Sequence, residues 1–215
     1  MTERFVPAAG RAWLTGLYDP VVALTMRERT FRSRLVRQVL ADLRDGGTVV
    51  DVGSGTGTLA IALAAARPDA RVVGVEPDDA VRERARRKRG SERIEWLAGT
   101  ADALPVAGAG ADRVVCSLVL HHLPPPVRRA ALREVHRVLR PGGRFHVADW
   151  GRPSDVITRA GAWAIQRLDG VETTADLVEG RLPELLAEAG LERAAVHDRL
   201  RTAWGALELS SAARP

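Results

Sequence analysis

The stretch Thr48-Val49-Val50-Asp51-Val52-Gly53-Ser54-Gly55-Thr56-Gly57-Thr58-Leu59-Ala60 constrains the fold more than any other part of the chain. Val49 to Val52 carries no polar alternation, which predicts a central strand buried on both faces. Glycines at alternate positions allow a tight strand-to-helix turn and leave the backbone bare for a ligand. The alanine-rich segment from Thr58 to Ala66 predicts a helix whose first N–H groups point back at that turn. A dinucleotide-binding turn would read G-x-G-x-x-G. This one reads G-x-G-x-G, with Thr58 where the third glycine would stand.

The same alternation of strand and helix continues downstream. Arg71 to Glu76 reads as a second strand ending in an acid, about 20 residues beyond the glycines, where nucleotide-binding βαβ units place a ribose-binding carboxylate. Arg93 to Leu97 and Ala111 to Ser117 read as the third and fourth strands, and Pro124 to Leu139 as an amphipathic helix. Arg140-Pro141-Gly142-Gly143 ends that helix, and Arg144 to Trp150 forms the fifth strand. Upstream, Asp19-Pro20 starts a short helix. A longer one runs to Leu43 with Phe31, Leu35, Val39 and Leu43 at every fourth position. Beyond the fifth strand, Trp163, Ile165 and Leu168 form one helix face, lining a pocket or entering the core. Thr173-x-x-Asp176 has the form of a capping box. Pro183 to Ala189 is a helix, and Leu191 to Leu200 with Trp204 to Leu209 supplies a closing strand pair.

The glycine stretch resembles motif I of the class I S-adenosylmethionine (SAM) methyltransferases, and the block Leu139-Arg140-Pro141-Gly142-Gly143 resembles that family's L-R-P-G-G motif. The resemblance covers residues 48 to 150 and is closest to the type 11 and ubiquinone/menaquinone methyltransferases. It implies a doubly wound, Rossmann-like, seven-stranded sheet with a terminal antiparallel strand. The chain then divides into an N-terminal helical lid (1–43), a SAM-binding core (48–150), an acceptor-binding insertion (151–182) and a terminal helix and hairpin (183–215). Gly53, Ser54, Gly55 and Gly57 would lie against the methionine end of SAM, with Asp51 reaching its amino group. Glu76, followed by Pro77, would take the ribose hydroxyls. Gly99 to Pro105 resembles the adenine-binding loop, which implicates Asp102 with its neighbours Ala101 and Ala103. Ser117, Leu118 and His122 would face the methionine end and the acceptor, and Tyr18 would close the lid.

His121 and His122 are candidate catalytic bases, since a neutral imidazole near pH 7 suits proton removal from a phenol, an ammonium or an activated carbon acid. Their loop resembles the acid-x-x-acid-His segment that holds a divalent metal in ubiquinone-pathway O-methyltransferases. Leu118 and His121 stand at the two acid positions, so no metal is carried over. The fourth-strand loop lacks the Asn/Asp-Pro-Pro-aromatic and Pro-Cys signatures of enzymes that methylate nucleic acid, which counts against a nucleic-acid substrate.

Composition narrows the rest. The net charge is +5, yet Lys88 is the only lysine among 32 basic residues, a pattern of arginine-rich coding more than of a nucleic-acid surface. The run Arg82 to Arg89 reads as the solvated face of a peripheral helix. Cys116 is the single cysteine and lies inside an apolar strand, so it reads as a small buried hydrophobe. No apolar run reaches the ~18 residues of a membrane span and no secretory leader precedes the core, so a cytoplasmic protein, with a homodimer open, is expected. The sequence therefore points to SAM-dependent methyl transfer to a small organic acceptor, on oxygen, nitrogen or carbon. An RNA or protein methyltransferase, or a SAM-binding protein with other chemistry, remains the alternative.

Overall fold

The computed structural model describes residues 27–215. Seven strands form one sheet in the order β3-β2-β1-β4-β5-β7-β6. They are β1 (Thr48–Val52), β2 (Arg71–Val75), β3 (Ile94–Leu97), β4 (Ala111–Ser117), β5 (Leu139–Gly151), β6 (Glu192–Thr202) and β7 (Gly205–Ala213). Strands β1 to β5 are mutually parallel, and β7 enters antiparallel between β5 and β6. The helices are α1 (Glu28–Leu40), α2 (Thr58–Ala66), α3 (Asp79–Arg86), α4 (Pro125–Val138), α5 (Val156–Asp169), α6 (Val171–Val178) and α7 (Leu182–Glu188).

The sheet separates two cores. Successive side chains of a strand point to opposite faces, so an apolar strand feeds both. Val49 joins Phe31, Leu35 and Val39 of α1 and Leu59 and Leu63 of α2. Val50 and Val52 join Leu132, Val135 and Val138 of α4, Leu177 of α6 and Leu185 and Leu186 of α7. This is why β1 carries no polar alternation. The order reverses direction at β1 and β4, and in such sheets ligands sit beyond the carboxyl ends of the strands at that point.

Several expectations are revised. The fifth strand begins at Leu139, directly after α4, not at Arg144. Gly142 takes φ +76° and its N–H donates to the Arg214 carbonyl, so the R-P-G-G block is held in the sheet with an irregular register against β4. Thr173 and Asp176 form no capping box: the Thr173 hydroxyl donates to the Asp169 carbonyl, and Asp176 pairs with Arg128. The capping box lies instead at Asp155 and Thr158, ahead of α5. Arg82 is buried, not solvated, and donates to the Glu76 carbonyl at 2.6 Å. Trp163 and Leu168 are 60% and 61% exposed while Ile165 is buried, so they share no face. Trp163 stacks under Arg167 instead, at 4.7 Å. Tyr18 and the Asp19-Pro20 helix start lie outside the described residues. Among the described residues no helix is long and apolar enough to cross a membrane.

Candidate active site

The glycine turn leaves β1 with Gly53, Gly55 and Gly57 at φ +65°, +54° and +78°. Each glycine is required for a different reason. A Cβ on Gly53 would meet Val119 at 2.5 Å, and one on Gly57 would meet the Trp96 ring at 2.4 Å. A Cβ on Gly55 would meet nothing within 4 Å, so this residue borders open space. Two buried carboxylates bracket the turn at the ends of adjacent strands. Glu76 accepts from the Gly55 N–H (2.9 Å) through Oε2 and from the Asp78 N–H (3.1 Å) through Oε1. A carboxylate offers about four acceptor sites, so both oxygens retain capacity for hydroxyl donors. Asp51 is 1% exposed and its Oδ2 has no partner. Burial raises its carboxyl to about 7, opposed by the charge of Arg32 and the Ala60 N–H. Ser54 Oγ is likewise buried without a partner.

The second half of the site follows β4. Leu118 takes φ +59°, an uncommon conformation for a residue with a Cβ, and its N–H donates to the Ala148 carbonyl at 2.8 Å. This turns the chain into the short 3-10 helix Leu120–His122. Asp149, fully buried at the end of β5, receives the Leu120 N–H at 2.9 Å, the Trp150 N–H at 2.8 Å and His121 Nδ1 at 2.6 Å. Burial alone would raise the Asp149 carboxyl, but His121 and the Trp150 N–H hold it below the usual range. From the other side the buried Arg128 donates to the Leu120 and Leu123 carbonyls, with Asp176 balancing its charge at 2.9 Å. His121 Nε2 faces Asp169 Oδ2 at 3.7 Å, from the end of α5. His122 stacks on His121 with ring centroids 3.9 Å apart and reaches solvent. Desolvation, and secondarily the charge of His121, lowers its pKa, so it is neutral at pH 7.

This fold is shared with known proteins. Residues 49–143 match a methyltransferase-domain family model. A ubiquinone/menaquinone biosynthesis C-methyltransferase of Rubrivivax gelatinosus is 33% identical over 79% of this chain and 72% of its own length. Others of the same name, from Syntrophotalea carbinolica and Paracoccus denitrificans, are matched over 53% and 44% of their length. The chain belongs to the class I SAM-dependent methyltransferases. Among solved structures, a SAM-dependent methyltransferase from Thermotoga maritima has the same fold, with TM-score 0.69, 21% identity and 94% and 97% of the two chains covered.

The cofactor of this methyltransferase is SAM, and the residues present fit it. One buried carboxylate oxygen (Asp51 Oδ2) and one buried hydroxyl (Ser54), neither with a partner, stand beside a turn that opens at Gly55, and Glu76 lies at the neighbouring strand end. The fold brings Asp51, Gly53, Ser54, Gly55, Gly57 and Glu76 together at one edge of the sheet, with Pro77 half-buried after Glu76. Ser117 and Leu118 end β4, the strand beside β1. Ala101, Asp102 and Ala103 form a turn after β3, where Thr100 pairs with Ala103 and Asp102 is exposed. Cys116 is buried, and burial pushes its thiol well up. The sequence reading missed Asp149, Arg128 and Asp169. Asp149 ends a strand as Asp51 and Glu76 do, which was a usable signal. Arg128 and Asp169 sit on helices where nothing in the local pattern marks them. A wider groove of about 550 Å³, lined by Arg34, Arg37, Gln38, His197, Asp198 and Leu209, lies away from these residues, and its Arg34–Asp198 pair is already internally neutralised.

Proposed function

We propose that this methyltransferase transfers the SAM methyl group to a small organic acceptor, with Asp51, Ser54 and the glycine turn holding the methionine end, Glu76 the ribose and the Asp102 turn the adenine. The observation that carries this reading is the pair of buried carboxylates at the ends of β1 and β2, one on each side of a turn with open space at Gly55. SAM already carries its electrophile, so the protein must exclude water, align the acceptor in line with the sulfur–methyl bond and accept the proton the acceptor loses. Alignment of this kind contributes about 7–11 kcal/mol of barrier lowering. The acceptor end falls to His121 and His122, fixed by Asp149 and Arg128, and the proton leaves through that cluster. The named activity of the Rubrivivax relative makes a quinone precursor the first acceptor to try.

The test joins binding and turnover. Calorimetry should show SAM and S-adenosylhomocysteine binding and no competition by NAD. Glu76→Ala should weaken SAM at least tenfold, because hydrogen bonds to a charged acceptor contribute roughly 1.5–3 kcal/mol each. Incubation with SAM and a panel of reduced quinone precursors, phenols and amines should yield S-adenosylhomocysteine and an acceptor heavier by one methylene group. An unchanged SAM affinity in the Glu76 variant would remove that residue from the site.

A further inference from the structure

Asp149 receives three donors, so it is the acceptor in its 2.6 Å contact and the hydrogen of His121 sits on Nδ1. His121 Nε2 is then left facing the Asp169 carboxylate at 3.7 Å, beyond ordinary hydrogen-bond reach. A ring nitrogen of His122 joins them, and one donor atom from each of the three residues lies within 4.8 Å of the others. Asp149 and Asp169 together place two carboxylates around two imidazoles. The nearest guanidinium described at this turn, Arg128, is occupied by Asp176 and by backbone carbonyls.

We propose that His121, His122 and Asp169 form a binding site for a divalent transition-metal cation, backed by Asp149. The donor set decides the class of ion. Two imidazole nitrogens and one carboxylate oxygen suit zinc, cobalt, nickel, manganese or ferrous iron rather than magnesium or calcium, which prefer all-oxygen shells. Metal-bound histidines characteristically donate their other N–H to a carboxylate, as His121 does to Asp149. Metal–ligand distances near 2.0–2.2 Å require the donors to draw together by roughly 1–1.5 Å, which rotation of the exposed His122 and of Asp169 at the end of α5 supplies. Three protein donors leave a coordination position open, as in catalytic rather than structural sites. His122 is solvent-exposed, so the cluster is open to the exterior. On the reading above, which this proposal rests on, the open position would take an oxygen or nitrogen of the acceptor and lower its pKa, so that the acceptor would release its proton to solvent at the exposed rim.

The experiment separates this site from the methyltransferase reading by measuring metal without turnover. Tag-free, chelator-treated full-length chain is titrated with Co(II) alone and followed by its visible absorption, then competed with Zn(II). The expected result is one Co(II) per chain, displaced by Zn(II), with Asp169→Asn and His122→Gln each weakening it at least tenfold. Both variants should keep the wild-type circular dichroism, and Asp169→Asn the wild-type SAM affinity as well, which identifies the loss as one of the metal alone. No stoichiometric Co(II), or equal binding by both variants, overturns the proposal. Nitrogen NMR showing His121 doubly protonated at pH 8 with Zn(II) present overturns it equally, since a proton would then supply the charge.

Discussion

At the residue scale, Asp51 is the group whose chemistry the fold changes most. Burial holds its carboxyl near 7, well above the ~3.9 of an exposed aspartate. The folded-state pKa is raised, so the stability it contributes is present in full below pH ~4 and is lost as pH rises through about 7. In the role proposed for Asp51, the SAM ammonium would favour the ionised acid, so binding would expel a proton. SAM affinity should therefore rise from pH 6 to 8 and then level off. Asp51→Asn should flatten that profile and bind SAM weakly, while raising the thermal midpoint of the ligand-free protein at pH 8 by the equivalent of roughly 1–3 kcal/mol. Calorimetry and thermal melts across that range check both halves. Gly55 and Gly74 form a second contrast. A Cβ on Gly74 would meet Trp96 at 2.5 Å, so Gly74→Ala should destabilise by about 1–3 kcal/mol. Gly55→Ala borders open space, so it should fold with the smaller cost of its positive φ and lose SAM affinity. Urea melts paired with SAM titrations distinguish the two.

At the scale of elements, Asp112 joins three of them at the amino-terminal edge of the sheet. Its carboxylate accepts from Arg44 after α1 (2.5 and 3.0 Å), from the Thr48 N–H that opens β1 (2.8 Å) and from Arg140 at the start of β5. Burial would raise this acid, but those donors hold it down to about 2. A depressed pKa gives stability that is present above pH ~4 and lost as pH falls through about 2. The contribution is on the order of 2 kcal/mol. Asp112→Asn should lose most of it at pH 7 and show a correspondingly weaker dependence of stability on pH between 4 and 2. Denaturant melts at stepped pH give the comparison.

At the scale of the whole molecule, Arg128 ties the histidine turn to the α4–α6 layer. It is fully buried and reaches the carbonyls of Leu120, Leu123 and Thr173 as well as Asp176. Removing one partner of a buried ion pair leaves the other charge uncompensated, at a cost of about 3–5 kcal/mol. Arg128→Met should lower stability by that amount. Arg128→Lys should restore part of the stability but less of the turnover, because a point charge cannot span three carbonyls and a carboxylate. Urea melts and acceptor kcat read the two effects separately.

The β1 run, the three glycines and the acids at 51 and 76 were legible in the chain because they are local. A strand buried on both faces must be apolar throughout, and a turn with three positive φ values calls for glycine. Phe31, Leu35 and Val39 were legible for the same reason, since helical spacing puts them on one side and the sheet buries all three. The family resemblance implied the doubly wound seven-stranded sheet with its terminal antiparallel strand, which the structure has. What tertiary structure alone decided is the histidine cluster proposed for the acceptor side. His121 receives its tautomer from Asp149 on β5 and faces Asp169 at the end of α5, and its turn is tied down by Arg128 on α4. Asp149 and Asp169 are far from His121 in the chain, and each residue of the cluster sits in a pattern that fits an ordinary strand, turn or helix. Only the parallel crossover that sets β4 beside β5, with α5 returning over the sheet edge, makes them one cluster. Local periodicity reports which face of an element is buried, and the fold alone reports what that face meets.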